Sequence, residues 1–328
     1  KAVCFVERKS GVLMHVSSLW GEYSCGSFGA SAKEFIDFLS RGGFSYWQVL
    51  PFGLVDECNS PYKSYSTFGG NPYFVDLEKL FQDGLITEEE LNSSKQQTPY
   101  SCEFDRLREE RVKLLISASK RACSELKEKI TSFINSNKYL KDFCCFMALK
   151  EKNNQKEWTL WEDASFDKDV EFGWQFIQYE FFTQWAEIKK YANEKGIGII
   201  GDMPIYVSFD SSDVYWSRKL FMLDDNNKMT DVAGVPPDYF AEDGQLWGNP
   251  LYDWDEMEKD GFSWWKDRIS LALSLFDGVR IDHFRAFESF WAVKGDAKTA
   301  KKGKWVKGPG MKLINALKSV SGNKLIIA

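Results

Sequence analysis

Short, almost unbroken apolar runs that alternate with helix-period segments constrain this chain more than any other feature. Gly11 to Val16 precedes a helical pattern from Ser31 to Leu39, with Phe35, Phe38 and Leu39 at helical spacing, and Phe44 to Leu50 ends at Pro51. An aromatic helix near Phe172 to Asn193 leads into Gly196 to Asp202, one near Trp264 to Leu275 leads into Asp277 to Asp282, and Met311 to Ser319 leads into Lys324 to Ala328. Strands buried on both faces read as continuous apolar runs, and helices covering a parallel sheet must lie between them. The chain is therefore expected to be α/β, with five such strands legible.

Two parallel architectures suit this alternation. A doubly wound sheet would carry a G-x-G-x-x-G turn between strand and helix, but Gly26 to Gly29 and Gly234 to Pro237 lack that context. A (β/α)8 TIM barrel places its functional residues at the carboxyl ends of strands, and the unusual polar residues lie there: Ser60 to Tyr62, Asp202, and Asp282 with His283. The barrel is preferred, with its first five strands present and a mainly helical insertion after the second. On this reading 1–79 carries strands one and two, 80–173 is the insertion, and 174–328 carries strands three to five with a lid loop at 234–248. Within the insertion, Thr87 to Glu90 is a capping-box helix start. Glu103 to Phe133 reads as one long amphipathic helix with Leu107, Val112, Leu115 and Ile116 on its apolar side, and Phe143 to Leu149 as another helical piece.

Composition narrows the chemistry. With 42 Lys plus Arg against 48 Asp plus Glu, the net charge is -6 and no basic block suggests a nucleic-acid partner. The basic cluster Lys298, Lys301, Lys302, Lys304 and Lys307 around Trp305 reads as a solvated loop after the fourth strand. No apolar run approaches the roughly 18 residues of a membrane helix, and Lys1 to Val6 is too short for a signal sequence. A cytoplasmic location is expected, with a plastid left open. Seven scattered cysteines without a C-x-x-C pair, and two histidines, His15 and His283, indicate neither a disulfide framework nor a metal site. No cofactor is indicated, and carboxylates are left to carry the chemistry. The 13 Trp and 13 Tyr suit stacking on sugar rings as well as filling a core.

The most informative string is Phe276 to Phe284. Residues two apart on a strand share a face, so Arg280 and Asp282 point together, and the guanidinium holds the carboxylate ionised and aimed. Alone, such a pair also fits a strand-end ion pair with no chemistry. Here it is accompanied by Ser10-Gly-Val-Leu-Met-His15, Trp47-Gln-Val-Leu-Pro51, Asn59-Ser-Pro-Tyr62, Gly70-Asn-Pro-Tyr73, Gly201-Asp-Met-Pro-Ile-Tyr-Val207, Gly234-Val-Pro-Pro-Asp-Tyr-Phe240, Gly244-Gln-Leu-Trp-Gly-Asn-Pro250 and Gly278-Val-Arg-Ile-Asp-His-Phe284. With these strings the chain closely resembles the amylomaltases or disproportionating enzymes, the 4-α-glucanotransferases of glycoside hydrolase family 77 in the α-amylase superfamily.

The resemblance implies retaining transfer of α-1,4-glucan segments between maltooligosaccharides or glucans, without metal or organic cofactor. It matches Asp282 to the nucleophile and Arg280 to the arginine beside it. Asp202, His283, Tyr62, Ser60, Gln245 and Trp247 match substrate-binding positions, with Tyr62 a stacking platform and Gln245 and Trp247 closing over the sugar. Turn, core and packing roles are the alternatives for Asp202, His283 and Trp247. Trp20 replaces a usual proline, and Ser24 to Gly29 departs from the commoner first-loop pattern. The family's acid/base glutamate follows the fifth strand, here Lys324 to Ala328, so the chain reads as a fragment expected to be inactive alone. An α-glucan hydrolase and a non-catalytic glucan-binding fragment remain as alternatives, and the oligomeric state is open.

Overall fold

The computed structural model describes residues 8–328; the opening residues and Cys4 lie outside the described residues. Five short strands, β1 (Gly11–Leu13), β2 (Tyr46–Gln48), β3 (Gly198–Met203), β6 (Gly278–Ile281) and β9 (Leu325–Ile327), form one parallel sheet in the order β1-β2-β3-β6-β9. Helices Ala30–Arg41, Lys168–Glu194, Ser263–Leu275 and Met311–Ser321 separate successive members. This is the β/α alternation of the (β/α)8 barrel type, and its register sets the site: Asp202 lies opposite Arg280, and Arg280 opposite Ile327.

A Cβ on Gly201 would stand 2.1 Å from the Phe276 ring, so that strand position excludes any larger residue. Trp185, from the long helix, meets Phe52 at 4.7 Å and Phe28 at 5.1 Å between ring centroids, and its Nε1 donates to the Leu275 carbonyl at 2.9 Å. Trp47 likewise donates to the Met14 carbonyl at 2.7 Å. Each indole thus fills apolar volume while satisfying a backbone acceptor.

A second sheet was not legible in the sequence. Strands β4 (Asp231–Val235), β5 (Gln245–Pro250), β7 (Ser289–Lys294) and β8 (Gly303–Lys307) are antiparallel in the order β5-β4-β7-β8. The expected lid loop 234–248 begins in β4 and ends in β5, with 236–244 as the connection between the two strands. The expected basic loop around Trp305 is an edge strand, with Trp305 opposite Trp291. Gly, Asn and Pro in β5 argue against a strand, but pairing with β4, itself paired to β7, supplies what local preference withholds.

The insertion corrects a second expectation. The single helix over Glu103 to Phe133 is broken at 120–123, with helices Val112–Ser119 and Ser124–Asn135 on either side. Arg121 within the break donates to the Leu85 carbonyl at 2.9 Å and to both Glu90 oxygens at 2.9 and 2.8 Å. Both halves then pack on Lys168–Glu194, together with Lys138–Lys152. The boundary expected at 173/174 falls inside Lys168–Glu194, one continuous helix that carries the insertion at one end and the barrel at the other.

His15, just past β1, is enclosed by Phe52 and Phe74 and accepts the Leu50 amide at Nδ1. Burial pushes its imidazole down to about 4. Between that value and its unfolded pKa near 6.5 the unfolded chain binds the extra proton, so this group withdraws stability as pH falls. From pH 7 to pH 5 the protein is expected to lose about 2 kcal/mol more than the His15→Asn variant. Urea unfolding at both pH values measures the difference; equal losses in the two proteins contradict it.

Candidate active site

Four side chains from three strand-end segments converge at the carboxyl edge of the parallel sheet. Arg280 on β6 donates through Nη1 to Asp202 Oδ1 at 2.8 Å and through Nη2 to Asp282 Oδ1 at 2.5 Å. The Tyr62 hydroxyl, from the loop after β2, donates to Asp202 Oδ2 at 2.6 Å. The period-two reasoning for Arg280 and Asp282 is realised because β6 continues straight to Ile281 before the chain turns. The Asp282 amide then donates to the Met203 carbonyl at 3.0 Å, tying the end of β6 to the end of β3.

The two aspartates occupy different environments. The Asp202 side chain is 1 % exposed with both oxygens engaged, whereas that of Asp282 is 36 % exposed. Burial raises the Asp202 carboxyl above its ordinary value and the neighbouring Asp282 charge adds to this, while Tyr62 and Arg280 oppose it. Burial works against the Arg280 charge, yet Asp202 and Asp282 together raise its pKa, so it stays a cation. Burial, followed by the Asp202 hydrogen bond and charge, raises the Tyr62 phenol, which keeps it a donor. Asp282 Oδ1 is held by the guanidinium; for Oδ2 no protein donor is present among the described residues.

His283 follows at φ 52°, a left-handed conformation unusual for a residue with a side chain. The turn sends the chain into the short 3-10 segment Phe284–Phe287 and sets the imidazole edge-on to Trp247, with centroids 4.8 Å apart. Burial lowers the His283 pKa, the Asp282 charge opposes that, and Arg285 adds to it. At neutral pH the ring therefore offers one donor and one acceptor rather than a second cation.

These groups border an open cleft of about 370 Å³ lined by Ser60, Tyr62, Tyr206, Trp247, Asp282 and His283 among others. Of the residues singled out in the sequence, Gln245 stands apart: it is exposed on β5 and reaches the cleft only by accepting the Trp247 indole N–H at 3.1 Å. Asp202 lies beneath the cleft behind Tyr62, since both its oxygens are taken. Ser60 accepts the Tyr62 amide at 3.3 Å, fixing the turn that aims the phenol. The cleft also contains Pro204, Tyr206 and Asn249, which sequence reasoning did not single out. They belong to the Gly201 to Val207 and Gly244 to Pro250 strings, so the signal was present without a residue type that announces chemistry. Among the described residues no group of three or more His, Cys, Asp or Glu could hold a metal ion, and no helix is long and apolar enough to cross a membrane.

Residues 14–328 match the glycoside hydrolase 77 family, described as 4-alpha-glucanotransferase. The chain is 46% identical over 338 residues to the 4-alpha-glucanotransferase of Clostridium butyricum, an alignment covering 96% of this chain and 68% of that protein. Among solved structures, the amylomaltase from Streptococcus agalactiae in complex with acarbose superposes with a TM-score of 0.93 at 38% identity, covering 98% of this chain and 68% of that one. The amylomaltase from Corynebacterium glutamicum has a TM-score of 0.74 at 17% identity, covering 94% of this chain and 45% of that one, a likeness of fold alone.

Removing the Tyr62 hydroxyl takes away one of the two donors that oppose the burial-driven rise of the Asp202 carboxyl pKa. Tyr62→Phe is therefore expected to raise the Asp202 carboxyl pKa further, read from the carboxyl carbon shift in an NMR titration of aspartate-labelled protein. An unchanged titration contradicts this electrostatic account.

Proposed function

Because the chain belongs to the 4-alpha-glucanotransferase family, glycoside hydrolase 77, we propose that the cleft beside Asp282 is its transfer site, with Asp282 the nucleophile. The family's reaction moves glucan segments, and maltooligosaccharides and α-1,4-glucans are the substrates assigned here. The observation that carries this reading is the Arg280 fork. One guanidinium fixes Asp282 Oδ1, and Asp282 borders the cleft with no protein donor to its Oδ2 among the described residues, which suits a carboxylate held in place for attack.

Retention requires two carboxyl groups about 5 Å apart. In the first half-reaction Asp282 Oδ2 bonds to the anomeric carbon as the bond to the leaving glycosidic oxygen breaks, and an acid protonates that oxygen. In the second, the 4-hydroxyl of an acceptor glucan loses its proton to the same group, now a base, and displaces Asp282. The family resemblance assigns the acid/base to a glutamate immediately after β9. β9 runs parallel beside β6, so that location adjoins the strand end carrying Asp282. The Asp282 ester explains retention, and it decomposes to transfer product only where sugar outcompetes water.

Trp247 and His283 form the wall that favours sugar. Their edge-to-face contact closes one side of the cleft, and the Trp247 ring provides an apolar surface where a pyranose can exclude water. Gln245 acts on this wall by accepting the Trp247 N–H. Asp202 supports the substrate through Tyr62 and Arg280, both of which it holds. A hydrolase using the same aspartate is distinguished by its products, since hydrolysis creates new reducing ends and transfer conserves them.

Three outcomes test this reading in the complete protein. Asp282→Asn is expected to lower maltotriose disproportionation by about 10³-fold or more, roughly 4 kcal/mol of barrier. Peptide mass spectrometry of a trapped glycosyl-enzyme should place the sugar on Asp282, and a label on another side chain rules the assignment out. Trp247→Ala is expected to raise the fraction of turnovers ending in water several-fold, seen as reducing ends formed per oligosaccharide transferred. An unaltered ratio removes Trp247 from the barrier against water.

A further inference from the structure

One buried charge has no part in the chemistry described so far. Arg268, on the helix Ser263–Leu275, is 2 % exposed. Its Nε donates to Thr67 Oγ1 at 2.7 Å, and Nη1 donates to the Ile205 carbonyl at 3.0 Å and to the Tyr252 hydroxyl at 3.3 Å. Nη2 donates to the Pro204 carbonyl. The guanidinium also lies 5.4 and 4.8 Å from the ring centroids of Trp264 and Trp265. Asp213 supplies a balancing field from the other side while accepting the Thr67 amide at 2.8 Å.

A cation so enclosed is costly unless every donor is met by an acceptor. Here two of those acceptors are successive carbonyls of the turn that begins as β3 ends at Met203. Beyond that point the sheet supplies no partners, so side chains do. Tyr252 donates to the Ile205 carbonyl at 2.7 Å, and Asn249 of β5 to the Val207 carbonyl at 2.9 Å. Pro204, Ile205 and Tyr206 line the cleft, and Met203 accepts the Asp282 amide. A planar fork can hold adjacent carbonyls together, whereas a lysine offers a single point.

We propose that Arg268 is a positioning residue for glucan transfer: by clamping the Pro204 and Ile205 carbonyls it sets the end of β3, and with it the Asp282 backbone and the Pro204–Tyr206 wall. It touches no substrate and acts from beneath the cleft. The inference rests on the assignment of Asp282 as nucleophile.

The test compares the complete protein with Arg268→Lys, which keeps the charge and loses the fork, and Thr67→Val, which removes one acceptor at nearly constant shape. Maltotriose disproportionation is measured per folded molecule, the folded fraction coming from urea titration. A displacement of the reacting groups approaching 1 Å can cost about 10²-fold, so Arg268→Lys is expected to lower kcat by roughly 10- to 100-fold and to raise KM for maltotriose. Thr67→Val should show a smaller fall in kcat in the same direction. A merely structural role would change Tm and folded fraction while leaving kcat and KM per folded molecule at wild-type values, and that result overturns the proposal. If Arg268→Lys does not fold, Thr67→Val decides alone by the same criterion. Asp282→Asn, run alongside, separates the two claims: its activity would sink the nucleophile assignment. An inactive Asp282→Asn with a fully active Arg268→Lys would sink only the role of Arg268.

Discussion

The Arg280 guanidinium, shared between Asp202 and Asp282, is the interaction on which the rest of the site depends. It spans the β3–β6 seam, where parallel register places Asp202 directly opposite Arg280. Burial raises the Asp202 carboxyl pKa and the Asp282 charge adds to that rise, while the guanidinium between the two opposes it. The two carboxylates differ in depth: Asp202 is sunk with both oxygens engaged, whereas Asp282 is partly open and borders the cleft, and the roles proposed for them rest on that contrast.

Around that centre the barrel and its additions are held by polar contacts from side chains where backbone ladders end. The Tyr62 turn leans on Asp202, the Pro204–Val207 turn on Arg268, Tyr252 and Asn249, and the β5 hairpin on the Trp247–His283 contact. Loops after strands carry their functional residues on rigid supports only if something replaces the hydrogen bonds the sheet no longer provides. In this chain those substitutes are side-chain donors from the covering helix, from β5 and the residues just after it, and from the loop after β2. The chain spans about two thirds of the length of relatives such as that of Clostridium butyricum, and β1 and β9 are the outer strands of its parallel sheet.

Much of the fold was legible because it is written in local periodicity. The strand at Gly198–Met203 follows from an apolar run ended by Asp, and the helix at Ser263–Leu275 from its apolar spacing. The pairing of Arg280 with Asp282 follows from two-residue alternation along β6. Less legible was anything decided between distant segments. Nothing in Lys120 to Cys123 announces a helix break, since no Gly or Pro is there; the break exists because Arg121 docks on Glu90 and both halves share one supporting helix. Likewise Gly244 to Pro250 has the composition of a loop, and becomes a strand only against β4.

Sequence by itself determined the β/α alternation, the barrel class, the family and the cluster of polar residues at strand ends, because each depends on spacing along the chain or on strings of adjacent residues. Tertiary structure alone decided that Asp202 lies beneath Tyr62 rather than open to the cleft. It also decided that Gln245 accepts the Trp247 indole N–H, and that Arg268, within a helix, donates to the Pro204 and Ile205 carbonyls just past β3. The first and last of these join residues 140 and 63 positions apart, and burial, which sets their charges, is a property of the packed molecule that no local stretch of sequence contains.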